Sequence, residues 1–428
     1  MTSSGSLNAS LRDAAKAVAE VARGRSLSAV LERADAAGIA SDSPRAALID
    51  LAHGTLRSYG RMQAITRSLA RKGGTTDPQV EALLWCAIYA AGSGRYAPYT
   101  VVDQAVQAAA DLGRTAAKGY VNAVLRRYLR EQPQIEARLA KDPEFRWRHP
   151  GWWIDAVRAA WPAQWEGILE AANAPPPMTL RVNARRGTVD AYLARLAEAG
   201  IAARVVGDVA ILLGRPVPVD RLPGFGNGDV SVQDAGAQLA APRLDARDGM
   251  RVLDACAAPG GKCAHVLEGA DVDLTALDLD ARRCALVEGN LSRLALKARV
   301  ASADCTRLDS WWDRKPFDRV LADVPCSASG VARRHPDMKW LRRRRDLSAF
   351  AQRQSAILDA LWQVLAPDGK LLYVTCSVFP EENNAVVDAF CQRTPGALKL
   401  ALPDGAPAQS LPGPAQDGFH YALLGRGG

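Results

Sequence analysis

The chain has 428 residues, of which 48% are hydrophobic and 23% charged, and it carries a formal net charge of +8 at pH 7. This length predicts about three domains of roughly 150 residues each. The longest apolar stretch, residues 82–92, is far shorter than the about 20 residues that a membrane-spanning helix needs. Because no signal-like segment opens the sequence either, we expect a cytoplasmic protein.

The eight cysteines and the basic net charge further narrow the class of protein to which the chain can belong. The cysteines form no CxxC pair and have no regular spacing, so neither a disulfide framework nor a structural zinc site is expected, and we predict no bound metal. A sequence pI of about 9.1 is compatible with an anionic partner such as nucleic acid.

Apolar residues recur at helical spacing through residues 1–142, and no strand pattern interrupts them. Ser43-Pro44 and Asp77-Pro78 each combine a capping side chain with proline at the first helical position, which predicts a helix start. We therefore expect an all-α bundle here. Its basic side chains, such as Arg57 and Arg61, form either a solvated face or a surface that binds phosphates.

Residues 143–235 predict linker helices followed by a small α+β module. The Trp- and Arg-rich stretch 145–153 either packs a domain junction or stacks on bases. A helix is expected over 155–172, and strand patterns follow at 178–183 and 204–213. A further strand at 230–235 is expected to lead into the third domain. Arg181 and Asn183, where a strand meets a turn, contact either RNA or the local backbone.

The third domain, residues 236–428, begins with a short buried strand, a Gly-Gly turn and a helix start within VLDACAAPGGK, residues 252–262. Such a turn presents unpaired backbone N–H groups and the positive end of a helix. Glycine lets a ligand lie against bare backbone. The stretch therefore predicts a site for a nucleotide-type cofactor, although it matches neither GxGxxG nor GxxxxGK[ST].

Strands and helices alternate after this turn, which predicts a doubly wound parallel sheet. Ligands bind at the carboxyl ends of the strands in such sheets. Asp278 falls about 20 residues beyond the glycines, where a carboxylate binds ribose hydroxyls. Pro380 and the two acids after it are expected to open a helix. Acidic residues end four of the strands: Asp254, Asp278, Asp304 and Asp323.

Two cysteines follow neighbouring strands in polar turns, Cys326 in DVPCSASG and Cys376 in TCS. A thiolate at this edge can attack an electron-poor ring. Cytosine is a poor nucleophile at C5, but addition of sulfur to C6 makes C5 enolate-like and able to take a methyl group from a sulfonium donor. The sequence therefore favours methyl transfer to a pyrimidine.

The motifs LDACAAPGGK, ALDLD, ADCT, LADVPCSASG and TCSVFPEEN occur in this order, and with them the chain resembles the RNA cytosine-C5 methyltransferases that use S-adenosylmethionine. SVQDAGAQ, GVARRHPDMKWLRRRRD and DGFHYA are similar to the B-type subfamily that acts on bacterial 16S ribosomal RNA. The resemblance covers nearly the whole chain. It implies a NusB-like helical bundle, an RRM-like middle module and a Rossmann-like catalytic domain.

The resemblance also implies roles for the matching residues. Cys376 corresponds to the nucleophile, Cys326 to the cysteine that assists release, and Asp323 lies beside the target base. Asp278 would bind the ribose of the cofactor and Asp304 its adenine side, with Asp323 also near the cofactor. The turn that would hold the methionine part comprises Cys256, Ala257, Ala258, Pro259, Gly260, Gly261 and Lys262.

A run of arginines follows the Pro-Cys turn and is either a solvated helix face or a phosphate contact. Because the chain resembles enzymes that act on RNA, we expect contacts with RNA phosphates. The residues expected to make them are Arg333, Arg334, His335, Arg342 and Arg343.

Three alternative functions remain at this point: an amino-group methyltransferase, a non-catalytic antitermination or assembly factor, and a methyltransferase that acts on another RNA such as tRNA. Protein partners are not predicted by the sequence.

Overall fold

The computed structural model describes residues 7–36, 45–70, 75, 77–207 and 209–427. The chain divides into two compact units. Unit 1 comprises Met1–Pro175 and Ala332–Arg344, and unit 2 comprises Pro176–Val331 and Arg345–Gly428. Helices of residues 143–175 therefore group with the N-terminal bundle instead of with the small module that follows them.

Unit 1 is helical, as predicted, throughout its described residues. Asp77 caps α5 by accepting hydrogen bonds from the backbone N–H groups of Gln79 and Val80, whereas Ser43 and Pro44 lie outside the described residues. The first ten helices are α1 (Leu7–Ala22), α2 (Leu27–Ala36), α3 (Arg45–Arg57), α4 (Tyr59–Leu69), α5 (Pro78–Gly92), α6 (Pro98–Asp111), α7 (Lys118–Leu139), α8 (Pro143–Trp147), α9 (Gly151–Ala160) and α10 (Trp165–Asn173).

The Trp-rich stretch of unit 1 packs inward. Trp147 and Trp153 are buried, and the Trp147 ring lies 4.8 Å from that of Trp165. The single helix expected over 155–172 is two helices, because Pro162 lacks a backbone N–H and restricts the residue before it. Packing of the stretch is thus confirmed for these two indoles.

Unit 2 begins with a four-stranded antiparallel sheet in the order β2-β3-β1-β4. The strand expected over 230–235 as a lead into the third domain spans only Val230–Val232, and it pairs with the strand Thr179–Val182 to complete this small sheet. The elements are β1 (Thr179–Val182), α11 (Val189–Glu198), β2 (Ala203–Val206), β3 (Ala210–Leu213) and β4 (Val230–Val232).

The larger sheet has the order β10-β12-β9-β8-β5-β6-β7, with β11 beside β12. Five strands from β7 to β9 run parallel, as predicted. The antiparallel strand β12, which the alternation did not predict, pairs with β9. The elements are α12 (Ala235–Gln238), α13 (Ala240–Leu244), β5 (Arg251–Asp254), α14 (Gly261–Gly269), β6 (Asp273–Asp278), α15 (Ala281–Arg293), β7 (Arg299–Ser302), β8 (Phe317–Asp323), α16 (Met338–Leu341), α17 (Asp346–Gln363), β9 (Leu365–Thr375), α18 (Asn384–Arg393), β10 (Ala397–Leu400), β11 (Gln409–Ser410) and β12 (Phe419–Arg426).

The arginine-rich segment 332–344 belongs to unit 1 and is anchored there by buried polar side chains. Lys339 Nζ donates to the carbonyl oxygens of Arg57 and Arg148 at 3.1 and 3.0 Å, and the Asp337 carboxylate accepts from the backbone N–H of Leu27 at 2.9 Å. Arg333 is buried as well. The side chain of Arg333 is thus withdrawn from the surface, and the RNA contact expected of it stays a prediction.

Arg181 and Asn183 are buried and serve the fold instead of RNA. Arg181 forms two hydrogen bonds with the Glu268 carboxylate, at 2.8 and 2.6 Å, which join β1 to α14. Asn183 donates to the carbonyl oxygen of Gly228 at 2.9 Å and accepts from the backbone N–H of Arg185 at 3.0 Å. The local-contact interpretation is thus confirmed for Asn183, whereas the partners of Arg181 lie far away in the sequence.

Substitution Glu268→Ala is predicted to lower the free energy of unfolding of unit 2 by about 3–5 kcal/mol, because it leaves the Arg181 guanidinium buried without its carboxylate. Hydrogen exchange of peptides from β1 and α14 measures this loss. As a control, Asp359→Ala removes an ion pair that is about half exposed and should cost at most about 1 kcal/mol. Equal effects of the two substitutions would contradict the prediction.

Candidate functional site

The predicted polar side chains meet at one edge of the large sheet. The parallel strands β5, β6, β7, β8 and β9 bring their carboxyl ends to this edge, as the sheet topology requires. A cavity of about 680 Å³ lies there, large enough for a nucleoside-sized ligand. Its lining includes Ala255, Cys256, Ala258, Asp278, Asp280, Arg283, Asp304, Cys305, Thr306, Asp323, Pro325, Cys326, Arg353 and Cys376.

The turn between β5 and α14 borders the cavity, but Pro259, Gly260, Gly261 and Lys262 are not among the lining residues. Gly260 has φ of +98°, and a Cβ there would lie 3.2 Å from Val287 Cα, so this position favours glycine. The Arg181 guanidinium donates to the carbonyl oxygen of Gly261 at 2.7 Å and fixes the turn from the small sheet. Cys256 and Ala258 line the cavity, whereas Ala257 is buried beneath it.

Asp278 and Asp304 face the cavity from the ends of β6 and β7. Asp278 is buried and accepts from the backbone N–H of Ala258 at 3.2 Å, with Arg283 Nη1 at 3.3 Å. The Thr306 hydroxyl and N–H donate to Asp304, which lowers the pKa of that carboxyl. Because a carboxylate has about four acceptor positions, both groups retain capacity for a ligand.

Lys262 pairs with Asp323 across the site, with Nζ 2.6 Å from Oδ2. Burial lowers the pKa of Lys262 because it disfavours the charged ammonium, but the attraction of the Asp323 carboxylate raises it by more. The pKa of Lys262 therefore lies above its usual value. The ammonium also lies 5.3 Å from the centre of the Phe419 ring. The pair fixes the Asp323 side chain beside the cysteines.

Cys326 and Cys376 lie next to each other, with their sulfur atoms 3.3 Å apart. The turns that carry them follow β8 and β9, which are hydrogen-bonded neighbours. The contact with Cys376, together with burial, raises the pKa of Cys326 well above its usual value, so Cys326 keeps its proton. The sequence-based expectation that both thiols face one site is met in this geometry.

Gly330 holds the two cysteine turns together. Its backbone N–H donates to the carbonyl oxygen of Cys376 at 2.8 Å, and its own carbonyl oxygen accepts from the Gly418 N–H at 2.9 Å. A Cβ on Gly330 would lie 2.2 Å from the carbonyl oxygen of Gly418, so only glycine fits. This close backbone approach fixes the turn that contains Cys326.

Several residues of the site were missed by sequence reasoning. Cys305 lines the cavity beside Cys256, and their mutual hydrogen bond raises the pKa of Cys256 and lowers that of Cys305. Its position directly after Asp304 at a strand end was a usable signal. Arg283 and Arg353 also reach the cavity. They project from helices, where an arginine is ordinarily taken for a solvated side chain.

The acids after Pro380 behave differently from the prediction. Pro380–Glu382 forms a separate 3₁₀ turn, and α18 begins only at Asn384. Glu382 is buried, and its carboxylate accepts the N–H of Ser327 at 2.7 Å, so it does not serve as an exposed acid at a helix start.

The residues expected to contact RNA are spread along the segment that joins unit 1. Arg334 and Arg342 are half-buried, and His335 and Arg343 are exposed.

Within the described ranges, no helix combines the length and the apolar character needed to span a bilayer. Among the same described residues, no group of three or more His, Cys, Asp or Glu side chains is placed to hold a metal ion.

Asp254 is buried at the end of β5, and burial, followed by the nearby Asp323 carboxylate, raises the pKa of Asp254 to about 7. The folded protein therefore binds this proton more tightly than the unfolded chain. The associated stabilisation is complete below the unfolded pKa and is lost as the pH rises through about 7.

Substitution Asp254→Asn is accordingly predicted to stabilise unit 2 relative to the parent protein increasingly between about pH 4 and pH 7, with a plateau above. Hydrogen exchange of β5 and β8 peptides at about pH 5 and about pH 8 checks this. Asp273→Asn, at the exposed start of β6, is the control. An identical effect of Asp254→Asn at both pH values would show that Asp254 does not titrate as described.

Comparison with known proteins agrees with this architecture. Residues 241–425 match the family model of the 16S rRNA methyltransferase RsmB/F. Residues 149–220 match the ferredoxin-like domain of RsmF/B-like methyltransferases, and residues 9–130 match the NusB family. The expected order of domain types is thereby confirmed.

Curated relatives and solved structures extend the likeness over the chain. Ribosomal RNA small subunit methyltransferase B of Pseudomonas putida is 44% identical, covering 96% of this chain and 97% of that protein. The protein of the same name from Vibrio cholerae is 42% identical over 89% of each chain. A methyltransferase homolog from Pyrococcus horikoshii is 26% identical with a TM-score of 0.57, covering 66% of this chain and 97% of that one. The chain therefore belongs to the family of 16S rRNA methyltransferases RsmB/F, and it is an enzyme that uses S-adenosylmethionine.

Proposed function

We propose that this enzyme methylates C5 of a specific cytosine in 16S ribosomal RNA through a covalent bond between Cys376 and C6 of the base. The observation that carries the proposal is the pair of thiols 3.3 Å apart at the cavity. One sulfur alone suffices for attack, and the second provides for release. The names of the relatives support ribosomal RNA as the substrate.

The cofactor residues are assigned from the resemblance to the family, and the assignment is supported by Cys256, Ala258, Asp278 and Asp304, which line the cavity. Asp278 binds the ribose hydroxyls, and Asp304 serves the adenine side. The turn from Cys256 to Lys262 holds the methionine part at the start of α14. When bound, S-adenosylmethionine supplies an electrophilic methyl group.

The chain's own residues activate the base and release it. The Cys376 thiolate forms a bond to C6, the C5–C6 double bond opens, and C5 becomes nucleophilic. After C5 has been methylated, a base removes the C5 proton, the electrons of that C–H bond re-form the C5–C6 double bond, and the bond between C6 and sulfur breaks, so that Cys376 leaves as a thiolate. Cys326, whose thiol is protonated, assists this release as a hydrogen-bond donor to the departing sulfur 3.3 Å away. Asp323, held by Lys262, binds the amino edge or ring nitrogen of the cytosine.

RNA binding is assigned to the other parts of the chain. The NusB-like bundle of residues 1–142 and the module of residues 143–235 bind the RNA, while residues 236–428 catalyse methyl transfer. Arg334, His335, Arg342 and Arg343 contribute contacts near the RNA backbone. The target base must leave its stack to reach a thiolate. A cytoplasmic location follows from a ribosomal substrate.

Substitution Cys376→Ala is predicted to abolish methyl transfer while RNA binding is retained, because the nucleophile is lost and the phosphate contacts are not. Cys326→Ala is predicted to accumulate a protein–RNA adduct that resists denaturant, because addition proceeds and release does not. Methyl incorporation from labelled S-adenosylmethionine and denaturing gel electrophoresis with 16S RNA measure both outcomes.

The double variant Cys326→Ala/Cys376→Ala is the control and should give no adduct. Methyl transfer that persists in Cys376→Ala would overturn the assignment of the nucleophile. Bisulfite sequencing of RNA from cells with and without the protein identifies the nucleotide, and a missing modification in tRNA instead of 16S RNA would reassign the substrate.

Substitution Asp278→Asn is predicted to weaken S-adenosylmethionine binding by about 10- to 100-fold, since hydrogen bonds to a charged group are worth about 1.5–3 kcal/mol. Isothermal titration calorimetry measures the affinity. Asp273→Asn lies at the opposite end of β6 and is the matched control. Equal affinity in both variants would remove Asp278 from the cofactor site.

A further inference from the structure

A buried carboxylate joins the two turns that carry the thiols. Glu382 Oε1 accepts the backbone N–H of Ser327 at 2.7 Å, and Glu382 Oε2 accepts the hydroxyl of Ser377 at 2.7 Å. Ser327 and Ser377 directly follow Cys326 and Cys376 in the sequence. Glu382, Ser327 and Ser377 are all fully buried. One carboxylate therefore ties together the residues next to both sulfurs.

Three serine hydroxyls extend this link between the turns. Ser327 Oγ lies 3.1 Å from Ser329 Oγ, which lies 3.0 Å from Ser377 Oγ. The Ser377 oxygen also accepts the backbone N–H of Phe379 at 3.0 Å, and its hydrogen is directed at Glu382. With Ser327 donating to Ser329 and Ser329 donating to Ser377, each hydroxyl hydrogen points towards the carboxylate.

The direction of these bonds requires an acceptor at the end of the chain. Burial raises the pKa of Glu382, whereas the donors from Ser327 and Ser377 act against this rise. Gln354 adds a third donor, with Nε2 3.3 Å from Oε1 and also 3.0 Å from the carbonyl oxygen of Pro325. An amide in place of the carboxylate would present an N–H to Ser377 and reverse the chain of hydroxyls.

We propose that Glu382 is a positioning residue that holds the Cys326 and Cys376 thiols side by side for addition to the base and for release. The inference rests on the proposed function, and in it Glu382 is the group that sets the geometry of the Cys326 and Cys376 sulfurs. Glu382 does not touch the reacting atoms, so it acts through the backbone of Ser327 and the hydroxyl of Ser377. A displacement of about 1 Å at a reacting group is sufficient to slow a reaction by about 10²-fold.

The test compares Glu382→Gln and Glu382→Asp with Tyr373→Phe. The Tyr373 hydroxyl donates to the backbone carbonyl of Glu382 at 2.6 Å. Its loss perturbs the same turn while leaving the carboxylate in place, which makes it a matched control. Single-turnover methyl transfer to 16S RNA, the affinity for S-adenosylmethionine and the bridging of thiols by phenylarsine oxide are measured in the full-length protein.

Phenylarsine oxide reports the thiol geometry without any methyl transfer, because its arsenic atom binds two sulfurs only when both can reach it. Peptide mapping then shows whether Cys326 and Cys376 are the bridged pair. We expect Glu382→Gln to slow methyl transfer by about 10²-fold, to lose the bridging and to bind S-adenosylmethionine normally. Glu382→Asp, which keeps the negative charge, should recover part of the methyl-transfer rate and part of the thiol bridging. Tyr373→Phe should show the same thiol bridging by arsenic as the parent protein.

Each other outcome has a defined meaning. Retained bridging and rate in Glu382→Gln would overturn the inference, as would loss of bridging in Tyr373→Phe to the same extent. If the parent protein bridges arsenic through these cysteines but does not methylate RNA, the proposed function fails while the positioning by Glu382 stands.

Discussion

The site depends on the parallel pairing of β8 with β9. In this register Asp323 lies opposite Val374, so the turns after both strands leave the sheet at the same edge and at the same height. The two sulfurs, 50 residues apart in the chain, are consequently 3.3 Å apart. Any slip of this pairing would separate the thiols and also move Asp323 away from Lys262, because a one-residue shift turns side chains to the opposite face.

Buried polar networks then fix what the sheet has brought together. Arg181 binds Glu268 and the carbonyl oxygen of Gly261, so the small sheet directly supports the turn from Cys256 to Lys262. Glu382 likewise connects the two cysteine turns, because its carboxylate accepts hydrogen bonds from Ser327 and Ser377. Such groups are costly to bury unless every bond is made, and once satisfied they tolerate few alternative arrangements. Unit 2 thus contains two such buried networks, one at the turn after β5 and one at the turns that carry Cys326 and Cys376.

The connection to unit 1 follows from the path of the chain. After the Cys326 turn the chain leaves unit 2 at Val331, contributes residues 332–344 to unit 1, and returns at Arg345. Within that segment Lys339 and Asp337 are bonded to backbone groups of the helical unit. The turn that carries Cys326 is therefore only a few residues along the chain from a segment anchored among the helices.

The sequence by itself determined the helical bundle, the Gly-Gly turn between a strand and a helix, the acids at the strand ends and the two cysteines in polar turns, because each depends on local periodicity or on residues adjacent in the chain. Only the tertiary structure decided that Arg333 is buried, that the strand at 230–232 completes the small sheet, and that β12 runs antiparallel. It also decided the partners of Arg181 and the role of Glu382, which from the sequence looked like an acid at a helix start. The physical reason is that a charged side chain is expected in solvent unless a buried partner binds it, and the pairing of strands or side chains distant in sequence is decided only when the chain packs.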